Sequence, residues 1–165
     1  MKKLILAALI ALPMSAFAQK FAHVNSATII QAMPEYTTAQ TELQTLGKSY
    51  QDELKRLQDE FDSKLEDYQK NGASLPDATK QRREQELSDL QQRYQQYAQT
   101  ADQEMSKAQS EKMQLISDKI TKAIQEVGTS GGYVYVMDVT AGIPFINETI
   151  STDVTNQVKA KLGIK

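Results

Sequence analysis

Cysteine and tryptophan are absent from the 165 residues, and histidine occurs once, as His23. Without cysteine there is no disulfide framework, no thiol nucleophile and no thiol near the N-terminus to carry a lipid. One histidine with no cysteine partner leaves no zinc ligand set and no Cys/His catalytic pair, so the sequence assigns no metal, cofactor or catalytic residue. Long apolar runs are scarce too: the stretch from Leu4 to Leu12 is shorter than the roughly 20 residues a membrane-spanning helix needs. It follows Lys2 and Lys3 and precedes Ala16-Phe17-Ala18, the three-part pattern of a secretory signal, with cleavage expected after Ala18. Positive charge is not in excess. Taking residues 1–18 from 165 leaves 147, and taking Lys2 and Lys3 from 19 basic residues leaves 17 against 21 acidic ones, a net charge of −4. That balance excludes a broad electrostatic attraction to nucleic acid.

What the chain does have is a middle rich in Gln, Glu, Lys, Leu and Ala, the usage of long exposed helices. Apolar residues fall at Leu43, Leu46, Tyr50, Leu54, Leu57, Phe61, Leu65 and Tyr68, in steps of 3, 4, 4, 3, 4, 4 and 3. This is an eleven-residue repeat of about 3.67 residues per turn, close to a straight helix. A second periodic segment runs from Leu87 through Leu90, Tyr94, Ala101, Met105, Ile116 and Ile120 to Val127, with Lys112 interrupting the stripe. Between them Asn71-Gly72-Ala73-Ser74-Leu75-Pro76-Asp77 punctuates the pattern, and Asp77 is placed to cap the next helix. The spacing predicts an antiparallel hairpin arm over 37–127, with helices at about 37–70 and 78–127 and a tip near 71–77. Leu43, Leu46, Leu54, Leu57, Leu87 and Leu90 are its expected core.

The two ends read differently, as one small body made of 19–36 and 128–165. Phe21 to Asn25 is a short apolar stretch. Tyr133 to Val139 has the β-branched and aromatic content of a strand, and Ile143-Pro144-Phe145-Ile146 reads as a second strand that Pro144 moves towards an edge. Ser151-Thr152-Asp153 can cap a last helix. The fold class is therefore α+β: a long helical hairpin on a small β-rich body. That body has only about 55 residues, near the size at which a lone core is marginal. Several copies are expected to pool one core, supplied by Phe21, Val24, Ile29, Val134, Val136, Ile143, Phe145 and Ile146.

The opening Lys20-Phe21-Ala22-His23-Val24-Asn25, the following Ile29-Ile30-Gln31, the hairpin, and the endings Tyr133-Val134-Tyr135-Val136-Met137-Asp138 and Asp153-Val154-Thr155-Asn156-Gln157-Val158-Lys159 together resemble the Skp/OmpH family of periplasmic chaperones. The resemblance covers essentially the whole chain after residue 18. It implies a homotrimer whose hairpin arms surround a cavity, and an ATP-independent holdase that keeps unfolded outer-membrane β-barrel proteins from aggregating. On that reading Tyr50, Phe61, Tyr68, Tyr94, Tyr97, Met105 and Met113 are the candidates for client contact, because aromatic and thioether side chains adapt to varied partners. Lys70, Lys80, Arg82 and Arg83 form a basic cluster at the arm tip. Family members known to be strongly basic contrast with this acidic chain, so no lipopolysaccharide or lipid site is carried over.

Other patterns carry less. Gly47-Lys48-Ser49 resembles the end of a phosphate-binding loop, but the required earlier glycine is Glu42, so no nucleotide is expected. Asp138 follows a strand with no second catalytic group beside it, and a turn or an intersubunit contact is its expected role. The competing reading of the whole chain is a periplasmic coiled-coil adaptor or structural protein of the envelope, which periodicity alone also fits.

Overall fold

The computed structural model describes residues 19–164, so the export signal read at 1–18 lies outside the described residues. In chain order the elements are β1 (Lys20–Val24), α1 (Ser26–Ala32), α2 (Pro34–Asn71), α3 (Asp77–Gly131), β2 (Tyr133–Asp138), β3 (Ser151–Asp153) and α4 (Thr155–Lys161). The class is α+β, as the periodicities predict. Two compact units arise: the described residues through Ile29 together with those from Lys119 onward, and Ile30–Asp118.

In the Ile30–Asp118 unit the chain makes a helical hairpin. Pro34 opens α2 at a position where its fixed φ is helical and its missing N–H costs nothing. The helix runs 38 residues, about 57 Å, and α3 runs 55, about 82 Å. Both exceed the extents expected from the apolar stripe, because polar residues extend a helix without marking it. Cross-helix pairs descend on α3 as they ascend on α2: Glu42 meets Lys112, Tyr50 meets Glu104, Lys64 meets Glu86 and Asp67 meets Arg83. That ordering is an antiparallel pairing. Asp77 sits inside the first turn of α3 rather than ahead of it; the Pro76 carbonyl accepts from the N–H groups of Thr79 and Lys80 instead, at 2.9 and 3.0 Å. A short 3₁₀ turn at Gly72–Ser74 joins the helices.

The other unit holds a three-stranded sheet of order β2-β1-β3 with both pairings parallel. Helix α3 stops where Gly132 takes φ +65°, and a Cβ on Gly131 would lie 2.2 Å from the Tyr133 ring. The expectation of a strand over Ile143–Ile146 is not met. A strand parallel to β1 requires the chain to travel back along the sheet before pairing, which takes about a dozen residues. Residues 139–150 make that return, and Ile143, Pro144, Phe145 and Ile146 lie within it. The third strand is Ser151–Asp153, the segment read as a helix cap. Asp153 still serves the helix, its carboxylate accepting from Thr155 N at 2.8 Å.

Alternation splits the sheet into two faces. Ala22 and Val24 of β1 have no exposed surface, and Val136 and Asp138 are their register partners on β2. Gly128 of α3 comes close on this side, within 3.4 Å of Val136 Cγ2 for a Cβ built there. Ile29, Ile120, Ala123, Val127, Val154 and Val158 complete the buried set. Phe21 and His23 of β1 face the other way, in register with Tyr135 and Met137 on one side and Ser151 and Asp153 on the other.

Candidate functional site

The second face of the sheet is where apolar surface remains uncovered. Tyr135, Met137, Phe145 and Ile150 are exposed to between 44%, at Met137, and 77%, at Phe145. Scattered exposed apolar residues are ordinary, but four gathered on one side of a small sheet form a concentration. The Phe21 and Tyr135 rings stack with centroids 5.0 Å apart. Around them Ile143, Phe145, Ile146 and Ile150 of the crossover bound an apolar hollow of about 170 Å³. Asn147 shapes the crossover by accepting from the Thr149 N–H and hydroxyl at 3.0 and 2.6 Å.

Of the eight residues expected to supply a shared core, the structure divides the set. Val24 and Ile29 are wholly enclosed within their own unit. Phe21, Val136, Ile143 and Ile146 are half-buried, and Val134 and Phe145 are exposed. Tyr135, Met137 and Ile150 were not among the residues expected to supply the shared core. The alternation of Tyr133, Tyr135 and Met137 against Val134 and Val136 was the available signal.

Asp138 makes two turns. Its carboxylate accepts from Ser26 N at 3.3 Å and Thr140 N at 3.0 Å, tying the start of α1 to the end of β2. Burial alone would push its carboxyl up, yet the hydrogen bonds from Ser26 and Thr140 outweigh it and hold it below the usual carboxylate range. Asp153 behaves alike: burial opposes, and the donors of Thr155, with His23 nearby, lower it.

Along the hairpin, Leu57 and Leu90 are nearly enclosed, whereas Leu43, Leu46, Leu54 and Leu87 are half-buried. Leu57 and Leu90 floor a hollow of about 250 Å³ walled by Phe61 and Tyr94 and rimmed by Gln58, Gln91 and Gln95. The other adaptable residues are partly engaged. Tyr50 donates to Glu104 at 2.8 Å and meets the Tyr97 ring edge-on at 6.0 Å. Tyr68 donates to Glu84, a bond that raises its phenol above the ordinary value. Met105 lies near Gly47, Met113 is exposed, and all but Met113 of this group are half-buried.

The tip cations each have a carboxylate: Lys70 with Glu66, Arg83 with Asp67 at 3.0 Å, and Lys80 with Asp77 and Arg82 with Glu86 at 3.9 Å. The cluster is thus an electrostatically balanced zipper rather than a free positive patch. Lys48 pairs with Asp52 and Ser49 bonds back to the Leu46 carbonyl, in mid-helix, so Gly47-Lys48-Ser49 forms no phosphate loop. Among the described residues no group of three His, Asp or Glu side chains could hold a metal ion, and no helix is long and apolar enough to cross a membrane.

Residues 20–162 match the family described as "Outer membrane protein (OmpH-like)". Among curated proteins, the chain is 30% identical over 165 residues to "Chaperone protein Skp" of Photorhabdus luminescens, covering 96% of this chain and 100% of that one. It is 28% identical over 164 residues to the protein of the same name in Yersinia enterocolitica, with the same coverage. A solved structure of a putative outer membrane chaperone (OmpH-like) from Caulobacter crescentus CB15 superposes with a TM-score of 0.76 at 14% identity, over 87% of this chain and 83% of that one.

Proposed function

Since the chain belongs to the OmpH-like family, we propose that it is a periplasmic chaperone, a holdase working without ATP on unfolded outer-membrane β-barrel proteins. The observation that carries the reading is the end-to-end match to relatives named as chaperones. Those names also argue against an enzyme. The geometry supports the finer parts. The open sheet face supports a homotrimer: three copies would bury Tyr135, Met137, Phe145 and Ile150 in one shared interior.

An unfolded barrel strand alternates apolar and polar residues and exposes edges ready to aggregate. A holdase must cover it without refolding it. The hairpin offers a long run of half-buried aromatic and thioether side chains, Tyr50, Phe61, Tyr68, Tyr94, Tyr97 and Met105, with Met113 more open. Each contact is weak, and retention comes from their number. Such binding releases its client without nucleotide, because insertion of the client in the membrane removes the free species and drains the complex by mass action. Export by residues 1–18, with cleavage after Ala18, belongs to the same reading.

The test is light scattering. The purified protein, without ATP, is expected to suppress aggregation of several unrelated urea-unfolded outer-membrane barrels at about one client per three chains. Absence of suppression with every client would favour an envelope adaptor instead.

A further inference from the structure

Export with cleavage after Ala18 makes Gln19 the first residue of the finished chain. Inside a longer chain a glutamine has only a peptide nitrogen next to its Cα, and that nitrogen is no nucleophile. At the end of a chain the same nitrogen is a free amine, within reach of the residue's own side-chain amide.

The fold leaves Gln19 loose. It is exposed and belongs to no helix or strand, and the register of β1 with β2 begins at Lys20, with an irregularity before Phe21. The first side chain with a tertiary tie is Lys20, whose Nζ donates to the Gly131 carbonyl at 3.4 Å. Among the described residues, no hydrogen bond or ion pair engages Gln19. The other amide placed for an intramolecular attack, Asn71 before Gly72, is held: its Nδ2 donates to Asp67 at 2.8 Å, and the Gly72 N–H is bonded to the Tyr68 carbonyl. Only the glutamine is free to close on itself.

We propose that Gln19 cyclises to pyroglutamate after export and seals the N-terminus as a lactam. The proposal rests on the export reading above. The uncharged α-amine attacks the side-chain Cδ; a C–N bond forms, the Cδ–Nε2 bond breaks, and the departing nitrogen takes a proton from the amine and leaves as ammonia. The step needs no second substrate. An α-amine titrates near about 8, so a useful fraction is uncharged at neutral pH, and holding both groups in one residue supplies the proximity. The product carries no terminal charge. Its effect falls on the sheet, because the terminus lies one residue ahead of β1, the strand bonded to both neighbours. Chain ends are where proteolysis concentrates, and trimming beyond Lys20 would remove Phe21 with its pairings to Tyr135 and Ser151. A lactam closes that end to aminopeptidases, which require a free amine.

The test is stepwise N-terminal sequencing of the full chain, expressed with residues 1–18, recovered from the periplasm and incubated at neutral pH. Sequencing needs a free amine. The wild type is expected to give no sequence until it is treated with pyroglutamyl peptidase, and then to read Lys20-Phe21-Ala22. Its intact mass should be lower by one ammonia than that of the open chain from Gln19 to Lys165. Gln19→Ala, incubated alongside, should stay readable from its first residue and keep its mass; an equal loss of ammonia there would place the reaction elsewhere and overturn the proposal. A wild type that still reads Gln19-Lys20-Phe21 sinks the lactam and leaves the export reading standing. A chain that begins at any other residue sinks cleavage after Ala18 with it.

Discussion

In the sheet-bearing unit Val24, Ile29, Val154 and Val158 have no exposed surface, whereas in the helical hairpin the best-enclosed leucines, Leu57 and Leu90, retain 3% and 5%, and Leu43, Leu46, Leu54 and Leu87 are half-buried. The sheet unit closes one face around a compact interior and leaves the other open. The hairpin spreads burial thinly over many layers and adds polar ties between helices, such as Tyr50 to Glu104 and Asp67 to Arg83. The contrast teaches that one region should fail as a whole and the other piecemeal. A compact core is cooperative, so shrinking one member weakens the whole of it; a layered pair opens only where it is cut.

The largest expected effect breaks the compact side. Ile29→Ala should cost about 3 kcal/mol, since its side chain is wholly enclosed, and urea unfolding should report a lower midpoint for the sheet unit. A cost under about 1 kcal/mol would mean that the interior is looser than its burial implies. Next, Leu90→Ala in the hairpin should cost about 2 kcal/mol, with faster amide hydrogen exchange confined to α2 and α3 around Leu57 and no change in β1. Exchange accelerating equally in the sheet would erase the distinction between the two regions.

A smaller effect comes from Asp138. Replacing it with Asn should cost about 0.5 kcal/mol after allowance for solvent screening, because its carboxylate caps both Ser26 and Thr140. The sign of the pH dependence follows from its lowered carboxyl. Its contribution is complete above the ordinary carboxylate range and is lost as pH falls through the depressed folded value. Thermal melts below about pH 4 should therefore fall less steeply for Asp138→Asn than for the wild type. The smallest expected effect is Tyr68→Phe, which removes the hydroxyl tie to Glu84 in an exposed setting. It should leave the melting temperature nearly unchanged while speeding exchange next to Gly72.

The same contrast governs what the residues disclosed before the structure. The hairpin was legible because its stripe from Leu43 to Tyr68 repeats at helical spacing. Tyr133–Asp138 was legible from its β-branched and aromatic content. The parallel order β2-β1-β3 was not, because pairing Phe21 with Ser151 joins residues far apart in sequence and no local pattern encodes it. Ile143–Ile146 was read as an edge strand because of Pro144, and the segment proved to be crossover instead. The one-sided exposure of Tyr135 and Met137 depends on which face the helices cover, a fact of packing. Among the proposed contact residues, the tyrosine stripe was visible, but the hydroxyl partners Glu104 and Glu84 required the register between helices.

Native mass spectrometry of the purified protein mixed with a urea-unfolded outer-membrane barrel, diluted from urea without ATP, tests the account at its centre. The expected species contains three copies of this chain and one barrel. A barrel bound to one copy, or three copies that never take up a barrel, would contradict it.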